Sequence, residues 1–441
     1  MRPAILLAGL LLAVAPATAS ARAPQLDELV GTMHQHSAYS DGYPGSTPAS
    51  YFASARRHGL DFEGSGEHSD TNDLPIVANQ ECTDPDPAKN EAAACLNADP
   101  QHPENAFHKW DATLAQAKAA TTSAFTAFRG FEWSSQRFGH IGVYFTQNIT
   151  NALTDGGDVS MDTFYAWAQQ SPALGGGADG LYTFNHPGDK FLCPTVSGCD
   201  PTQLSELNWD HFRYVPALDN RFFALEVFNG TSDFGSAPGH NAPAEGWYAY
   251  ALDKGWHVGA VGAEDRGHQR GDDWGSPGLA KTIVLAGNRS PAALQRTMRA
   301  RHVYAIRREG YRLRFTVDGN LMGARLERRA GAPLHVRAAV TGLTRGSAVG
   351  GPVRLELVTS GGRIIAAGSD GGLDVKLPAA QDERYLFVRA VQGGENIAYS
   401  SPVWVTTRGK APGAATVRPP VSLTPAARPQ APTPFSDICV L

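Results

Sequence analysis

GTMHQHSAYSDG, residues 31–42, sets His34, His36 and Asp41 within a few positions of one another. In a strand, residues two apart share a face, so His34 and His36 can point the same way and grip one ion. An isolated His-x-His is weak support, because solvated or core-satisfied imidazoles are the commoner case. Recurrence along the chain gives the pattern weight. GEHSD surrounds His68, GFEWSS surrounds Glu132, GH carries His140, NHPGD carries His186, and GAEDRGH carries Asp265 and His268.

Working outward, the stretch from Gly31 to about Ile306 alternates short apolar runs with amphipathic ones, which predicts strands alternating with helices. In PASYFASARRHGLDFEGSGEH a helix is expected after Pro48, a stop at Gly59, and an extended run toward Glu67 and His68. AFTAFRGFEWSS, GLYTFNHPG, FFALEVFNG and WHVGAVGAEDRGH each read as a strand delivering polar residues at its C-terminal end. That is how α/β barrels assemble active sites. After about Arg307 the pattern becomes period-two alternation in YRLRFTVDG, LHVRAAVTG, VRLELVTSGG and RYLFVRAVQGG, separated by Gly-rich turns. A small antiparallel β-sandwich over residues 307–407 is expected. It holds no cluster of His with carboxylates, so a structural or docking role is expected of it. Residues 408–441 are Pro- and Ala-rich and read as a disordered tail.

The chain's 441 residues exceed one ordinary domain. A net charge of -5 with no long basic run argues against a nucleic acid polymer as partner. The first 23 residues carry an early Arg2, an apolar run from Ala4 to Val14 and small residues near Ala21 and Ala23, and read as a signal peptide. The run is shorter than the roughly 20 residues a membrane span needs, so an exported protein, periplasmic or secreted, is expected. In an oxidising compartment Cys82 with Cys95, and Cys193 with Cys199, would each close a small loop by a disulfide. Cys439 has no obvious partner.

The histidines at 34, 36, 68, 140, 186 and 268, with several carboxylates, suit divalent ions such as Zn²⁺, Mn²⁺ or Fe²⁺. The supply exceeds one tetrahedral ion, so a multinuclear site is expected, with Glu132 bridging two ions. Arg266 and Arg270 beside the last motif are candidates to grip an anionic group, since a guanidinium binds two phosphate oxygens at once. No GxSxG elbow, Walker-type loop or GxGxxG helix opening occurs, so neither a serine hydrolase nor a nucleotide cofactor is expected. His102, His108 and His240 have no spacing that ties them to the cluster, and Asn185 and Asn229, next to His186 and Gly230, are candidates to hydrogen-bond within the site, ranked below the ligands. His58 reads as a helix-end cation. The aromatics of DTFYAWAQQ read as core.

HQHSAYSDG, then EH, E, GH, NHP and a final Asp with a nearby His, resembles in its order the polymerase and histidinol phosphatase (PHP) superfamily of metallohydrolases over Gly31 to about Ile306. Within it, GFEWSS with GHIGVYF, EVFNG, and the stretch GSPGLAKTIVLAGNRSPAALQRTMRARHVYA look like an exported branch that includes carbaryl hydrolases. The resemblance implies a distorted (β/α)7 barrel over residues 24–306 holding two or three ions. It implies one ion on His34, His36, Glu132 and Asp265, a second on Glu132, His140 and His186, and a third on Asp41, His68 and His268. Two departures stand out. Glu67 replaces the usual Asp before His68 and is expected to orient it, and Arg266-Gly267 lengthens the usual D-x-H, which makes Glu264 a substitute ligand for the third ion. A metal-dependent phosphoesterase acting on a small phosphorylated ester is the leading expectation. The alternatives are a hydrolase of carboxylic or carbamic esters or amides on the same ions, and a secreted binding module with structural metal.

Overall fold

The computed structural model describes residues 26–43, 45–69, 109–135, 138–154, 157–188, 212–236, 242–267, 274–307, 309–342, 352–379 and 384–409. The leader, all five cysteines, the tail from residue 410 onward, and His102, His108, His240, His268 and Arg270 lie outside these residues.

The fold is mixed α/β, with many strands and few helices. One long sheet begins with β1 (Asp27–Thr32), β2 (Phe62–Gly64) and β3 (Thr126–Phe128), paired in parallel. The second holds β4 (Gly130–Ser135), β5 (Gly139–Tyr144), β6 (Leu181–Asn185), β7 (Phe222–Asn229) and β8 (Gly259–Ala263). Beyond β1 the long sheet continues through β9 (Lys281–Ala286) and β10 (Val303–Ile306), both added antiparallel. Strand–helix alternation is therefore incomplete. β4 and β5 form an antiparallel pair from Gly130↔Tyr144 to Ser135↔Gly139, and the three residues 136–138 between them are too few for a crossover helix.

Helix α1 (Pro48–Arg57) forms where it is expected. Pro48 opens it, Thr47 and Ser50 form a capping box, and His58 caps it before Gly59 at φ 79°. α2 (Lys109–Ala120) packs beside it. α3 (Met161–Gln169) buries Phe164 and Tyr165 in the largest apolar cluster, as its spacing predicts. A separate apolar cluster takes Leu29, Phe62, Phe128, Tyr144, Leu181, Phe223, Val261, Val284 and Val303 from strands of both sheets.

The two sheets are stitched together at two seams. At one, Ser65 and Glu67 after β2 meet β4: Glu132 N donates to Glu67 O at 2.9 Å, and His68 bridges to Glu132. At the other, Asp265 N donates to His34 O at 2.9 Å and His36 N to Arg266 O at 2.8 Å. The sequence read AFTAFRGFEWSS as one strand, but the chain leaves one sheet at Phe128 and enters the other at Gly130.

In the C-terminal half, β11 (Arg312–Val317), β12 (Arg325–Arg329), β13 (Pro333–Thr341), β14 (Val353–Thr359), β15 (Arg363–Gly368), β16 (Gly372–Pro378), β17 (Arg384–Gln392), β18 (Glu395–Ser400) and β19 (Val403–Arg408) are extended. Burial alternates along β11 and β13, the period of a sheet with one wet face. Phe315, Val336, Leu355 and Val388 join Ile283 and Ile306 in one core. The long sheet crosses from one half of the chain to the other through Tyr304↔Ser400 and Ala305↔Tyr399.

Candidate metal centre

The described metal-ligand candidates of the sequence meet in one place. His34 and His36 leave the end of β1, Asp41 follows in a turn, His68 leaves β2, Glu132 and His140 stand on β4 and β5, His186 leaves β6, and Asp265 leaves β8. Glu132 is the hub. Its Oε1 lies 3.0 Å from His34 Nε2 and 3.1 Å from His186 Nε2. Its Oε2 lies 2.9 Å from His140 Nδ1 and 3.1 Å from His68 Nδ1. Asp265 Oδ1 is 3.0 Å from His36 Nε2, and Asp41 Oδ2 is 3.3 Å from His68 Nε2.

The donor atoms form overlapping triads: His34–Glu132–His186, His34–His36–Asp265, His36–Asp41–His68 and His68–Glu132–His140. The resemblance implied His140 and His186 on one ion with Glu132; in the structure His186 groups with His34, and His140 with His68. His36 stands with Asp41 and His68 in the group that the resemblance completed with His268.

The residues around the donors fix which atom each presents. Glu226 Oε1 lies 2.8 Å from His34 Nδ1, leaving Nε2 toward Glu132. Ser40 Oγ lies 3.2 Å from His36 Nδ1, and Ser134 Oγ 2.6 Å from His68 Nδ1. Glu226 Oε2 accepts from His186 N at 3.0 Å and from Asn229 Nδ2 at 3.1 Å, while Asn229 also donates to Asp265 Oδ2 at 3.0 Å. Asn185 Nδ2 donates to Glu132 Oε1 at 2.9 Å and is itself oriented by Thr183 Oγ1 at 2.6 Å. His186 at φ 22° and Asp265 at φ 49° are non-glycine residues with positive φ, a strain that persists where the surroundings hold it.

Two expectations need correction. Glu67 does not contact His68 through its carboxylate: it accepts from Ser37 N at 3.0 Å, Ser37 Oγ at 2.5 Å and Ser40 Oγ at 2.6 Å, and so fixes the turn that carries Asp41. Glu264 does not reach the cluster: fully buried, it pairs with Lys281 Nζ at 2.6 Å and accepts from Gln35 Nε2 and Gly275 N, each at 2.7 Å. Glu226 escaped the sequence reading altogether. The available signal was a charged residue inside the apolar run FFALEVFN, since a buried carboxylate needs partners.

The electrostatics suit a bound cation. Burial alone would lower the His34 pKa, but Asp265, Glu132 and Glu226 outweigh it and raise it well above its ordinary value. His68 is raised against burial by Asp41 and Glu132. Burial would raise Glu132 and Asp265, yet the surrounding imidazoles hold both well below the usual carboxylate range. Imidazole and carboxylate together are the donor chemistry of divalent Zn, Mn and Fe sites. His34 Nε2 is buried and faces the carboxylates of Glu132 at 3.0 Å and Asp265 at 3.6 Å, a donor set that a divalent ion would share. The donors present therefore fit divalent ions.

Arg266 stands at the rim, where its Nη2 would lie 3.4 Å from a Cβ built on Gly230. Its Nε is buried with no hydrogen-bond partner among the described residues.

No protein-family model matches the chain. No curated protein matches it. Among solved structures, it is similar to a two-domain protein from Bacteroides vulgatus ATCC 8482 containing a predicted PHP-like metal-dependent phosphoesterase, with 15% identity over 86% of this chain and 96% of the other, at a TM-score of 0.42. It is also similar to PsfC from Pseudomonas syringae PB-5123, with 14% identity over 59% and 83% of the two chains and a TM-score of 0.29. Endonuclease Q, in complex with a 27-mer duplex bearing an abasic lesion, matches at 11% identity over 62% and 56%, with a TM-score of 0.31. Among the described residues, no helix is long and apolar enough to cross a membrane. The class defined by the fold and the site is thus a mixed α/β protein with a buried imidazole–carboxylate cluster able to hold divalent metal.

Proposed function

We propose that the protein is an exported metal-dependent hydrolase of small phosphoric esters, with its site on a PHP-type distorted (β/α)7 barrel over residues 24–306. The barrel is supported by the apolar cluster shared by strands of both sheets and by the two seams that join them. The leader over residues 1–23 supports export, and the period-two alternation over residues 307–407 supports a β-sandwich ahead of the tail at 408–441. The observation that carries the proposal is the convergence of four overlapping donor triads, two of which share the buried carboxylate of Glu132.

Two or three ions on His34, His36, Asp41, His68, Glu132, His140, His186, Asp265 and the further candidate His268 would lower the pKa of water toward neutrality and stabilise charge on the attacked centre. The chain's own groups do the rest. Glu132 holds four imidazoles in one arrangement, and Glu226 and Asn229 fix the atoms His34 and Asp265 present. Arg266, whose buried Nε has no hydrogen-bond partner among the described residues, would hold a phosphate oxygen with Arg270 beside it in sequence.

The test pairs elemental analysis of natively purified mature protein with turnover of a phosphate monoester and a neutral carboxylic ester. Two or three ions per chain, lost in His34→Ala, are expected, with phosphate-ester turnover falling at least about a hundredfold in Arg266→Ala/Arg270→Ala while any neutral-ester turnover is spared. Unchanged phosphate-ester turnover in the double variant rejects the phosphate grip. Turnover confined to the neutral ester supports carboxylic or carbamic ester hydrolysis on the same ions. No bound metal favours the binding-module alternative.

A further inference from the structure

The turn after β7 is held by residues far along the chain. Asp233 is only 8% exposed, and its carboxylate is met by neutral donors. Gly235 N donates to Oδ1 at 2.9 Å and Ser236 N at 3.3 Å, both from the turn itself. The others come from β18: Tyr399 OH lies 3.1 Å and 3.2 Å from the two oxygens, and Asn396 Nδ2 donates to Oδ2 at 2.7 Å. Asn396 Nδ2 also reaches Ser236 Oγ at 2.8 Å, and Ser236 Oγ lies 2.6 Å from Tyr399 OH. A Cβ on Gly235 would come within 2.8 Å of the Tyr399 ring, so the turn sits directly on that side chain. Arg307 adds a bond to Thr231 O at 2.6 Å.

Burying a carboxylate is costly unless its oxygens are met, and a turn that merely reverses the chain needs no such group. What the turn carries is Phe234, which is 3% exposed with its ring 6.3 Å from that of His186. His186 has a strained backbone that Glu226 grips at its amide, and its Nε2 faces Glu132. Phe234 thus stands beside the ring whose backbone Glu226 restrains.

We propose that Asn396 and Tyr399 are positioning residues for His186, acting through Asp233 and Phe234. The C-terminal β-strands then complete the wall of the metal centre. This rests on the metal-centre reading above.

The test uses the mature full-length protein and the variants Asn396→Leu, Asn396→Gln and Tyr399→Phe, with circular dichroism confirming the fold of each. In ion-free protein, amide hydrogen exchange in residues 230–236 is expected to rise about tenfold in Asn396→Leu, with residues 259–263 unchanged. Mn²⁺ affinity is expected to weaken about tenfold in Asn396→Leu, less in Tyr399→Phe, and to recover in Asn396→Gln, which keeps the amide donor. Faster exchange in the turn with unaltered Mn²⁺ affinity overturns the proposal, as does exchange that rises equally everywhere. Should the wild-type protein bind no Mn²⁺, the metal-centre reading fails by itself. The positioning claim is then decided by the His186 ring resonances: a shift in Asn396→Leu sustains it and an unchanged spectrum overturns it.

Discussion

At the residue scale, the cluster depends on groups that never face a metal. Glu226 serves three candidate ligands at once: the His34 ring, the His186 amide and, through Asn229, the Asp265 carboxylate. Glu226→Gln preserves shape but replaces an acceptor by a donor toward one of these partners. A loss of about 10- to 100-fold in metal affinity is expected, measured by competitive chelator titration, with far-UV circular dichroism unchanged. Gly142 plays a steric part. A Cβ there would lie 2.3 Å from Thr183 Oγ1, 2.5 Å from Tyr144 OH and 2.9 Å from Asn185 Oδ1, the side chains behind the Asn185–Glu132 hydrogen bond. Gly142→Ala is expected to cost about 1–3 kcal/mol in denaturant unfolding and to weaken metal uptake as Asn185 is pushed aside. The donors were legible in the sequence because imidazoles and acids recur beside strand ends. Of the supports, Asn185 and Asn229 were legible as hydrogen-bonding residues beside the ligand motifs, and they bond Glu132 and Asp265; Glu226, Ser134 and Gly142 were not, because only the fold shows what they touch.

At the scale of elements, the two sheets join where the donors stand, which explains why so many motifs sit just past strand ends. Arg129 is the residue that carries the chain from one sheet to the other. Its guanidinium stacks 3.7 Å above the Trp110 ring and donates to Trp110 O and Thr146 O at 3.2 Å and to Gln147 O at 3.1 Å. The strand reading of AFTAFRGFEWSS gave no hint of the break, because both halves are extended and the change of partner is a tertiary event. Arg129→Leu leaves those carbonyls short of their donor. A loss of about 2–4 kcal/mol is expected in chemical denaturation, enough to separate it from a surface arginine such as Arg213, for which a change within about 0.5 kcal/mol is expected.

At the scale of the whole molecule, the switch near residue 306 from mixed periodicity to strict alternation was legible, whereas the pairing of β10 with β18 was not, because nothing local in either strand names so distant a partner. The charge arrangement at the centre of the fold leads to a test of the ion-free and loaded states. Without ions, His34 and His68 are raised by surrounding carboxylates that outweigh burial. A histidine raised above its unfolded pKa of about 6.5 contributes its full stabilisation below that value and loses it as pH climbs through the folded pKa. Glu132 and Asp265, depressed in the fold, contribute above about pH 4 and stay ionised throughout the neutral range, so they do not bend the curve there. The ion-free protein should therefore lose thermal stability as pH rises from about 6 to about 9. Ion binding needs neutral imidazoles, so loading should release on the order of two protons near pH 7 and tighten as pH rises. With saturating Mn²⁺ the melting temperature should hold or increase over the interval in which the chelator-treated protein declines. Divergent curves from paired thermal scans, with proton release seen by calorimetry in buffers of different ionisation enthalpy, would tie the stability of the fold to this centre. Parallel curves would mean that the imidazoles and carboxylates are satisfied by one another and that no ion belongs among them.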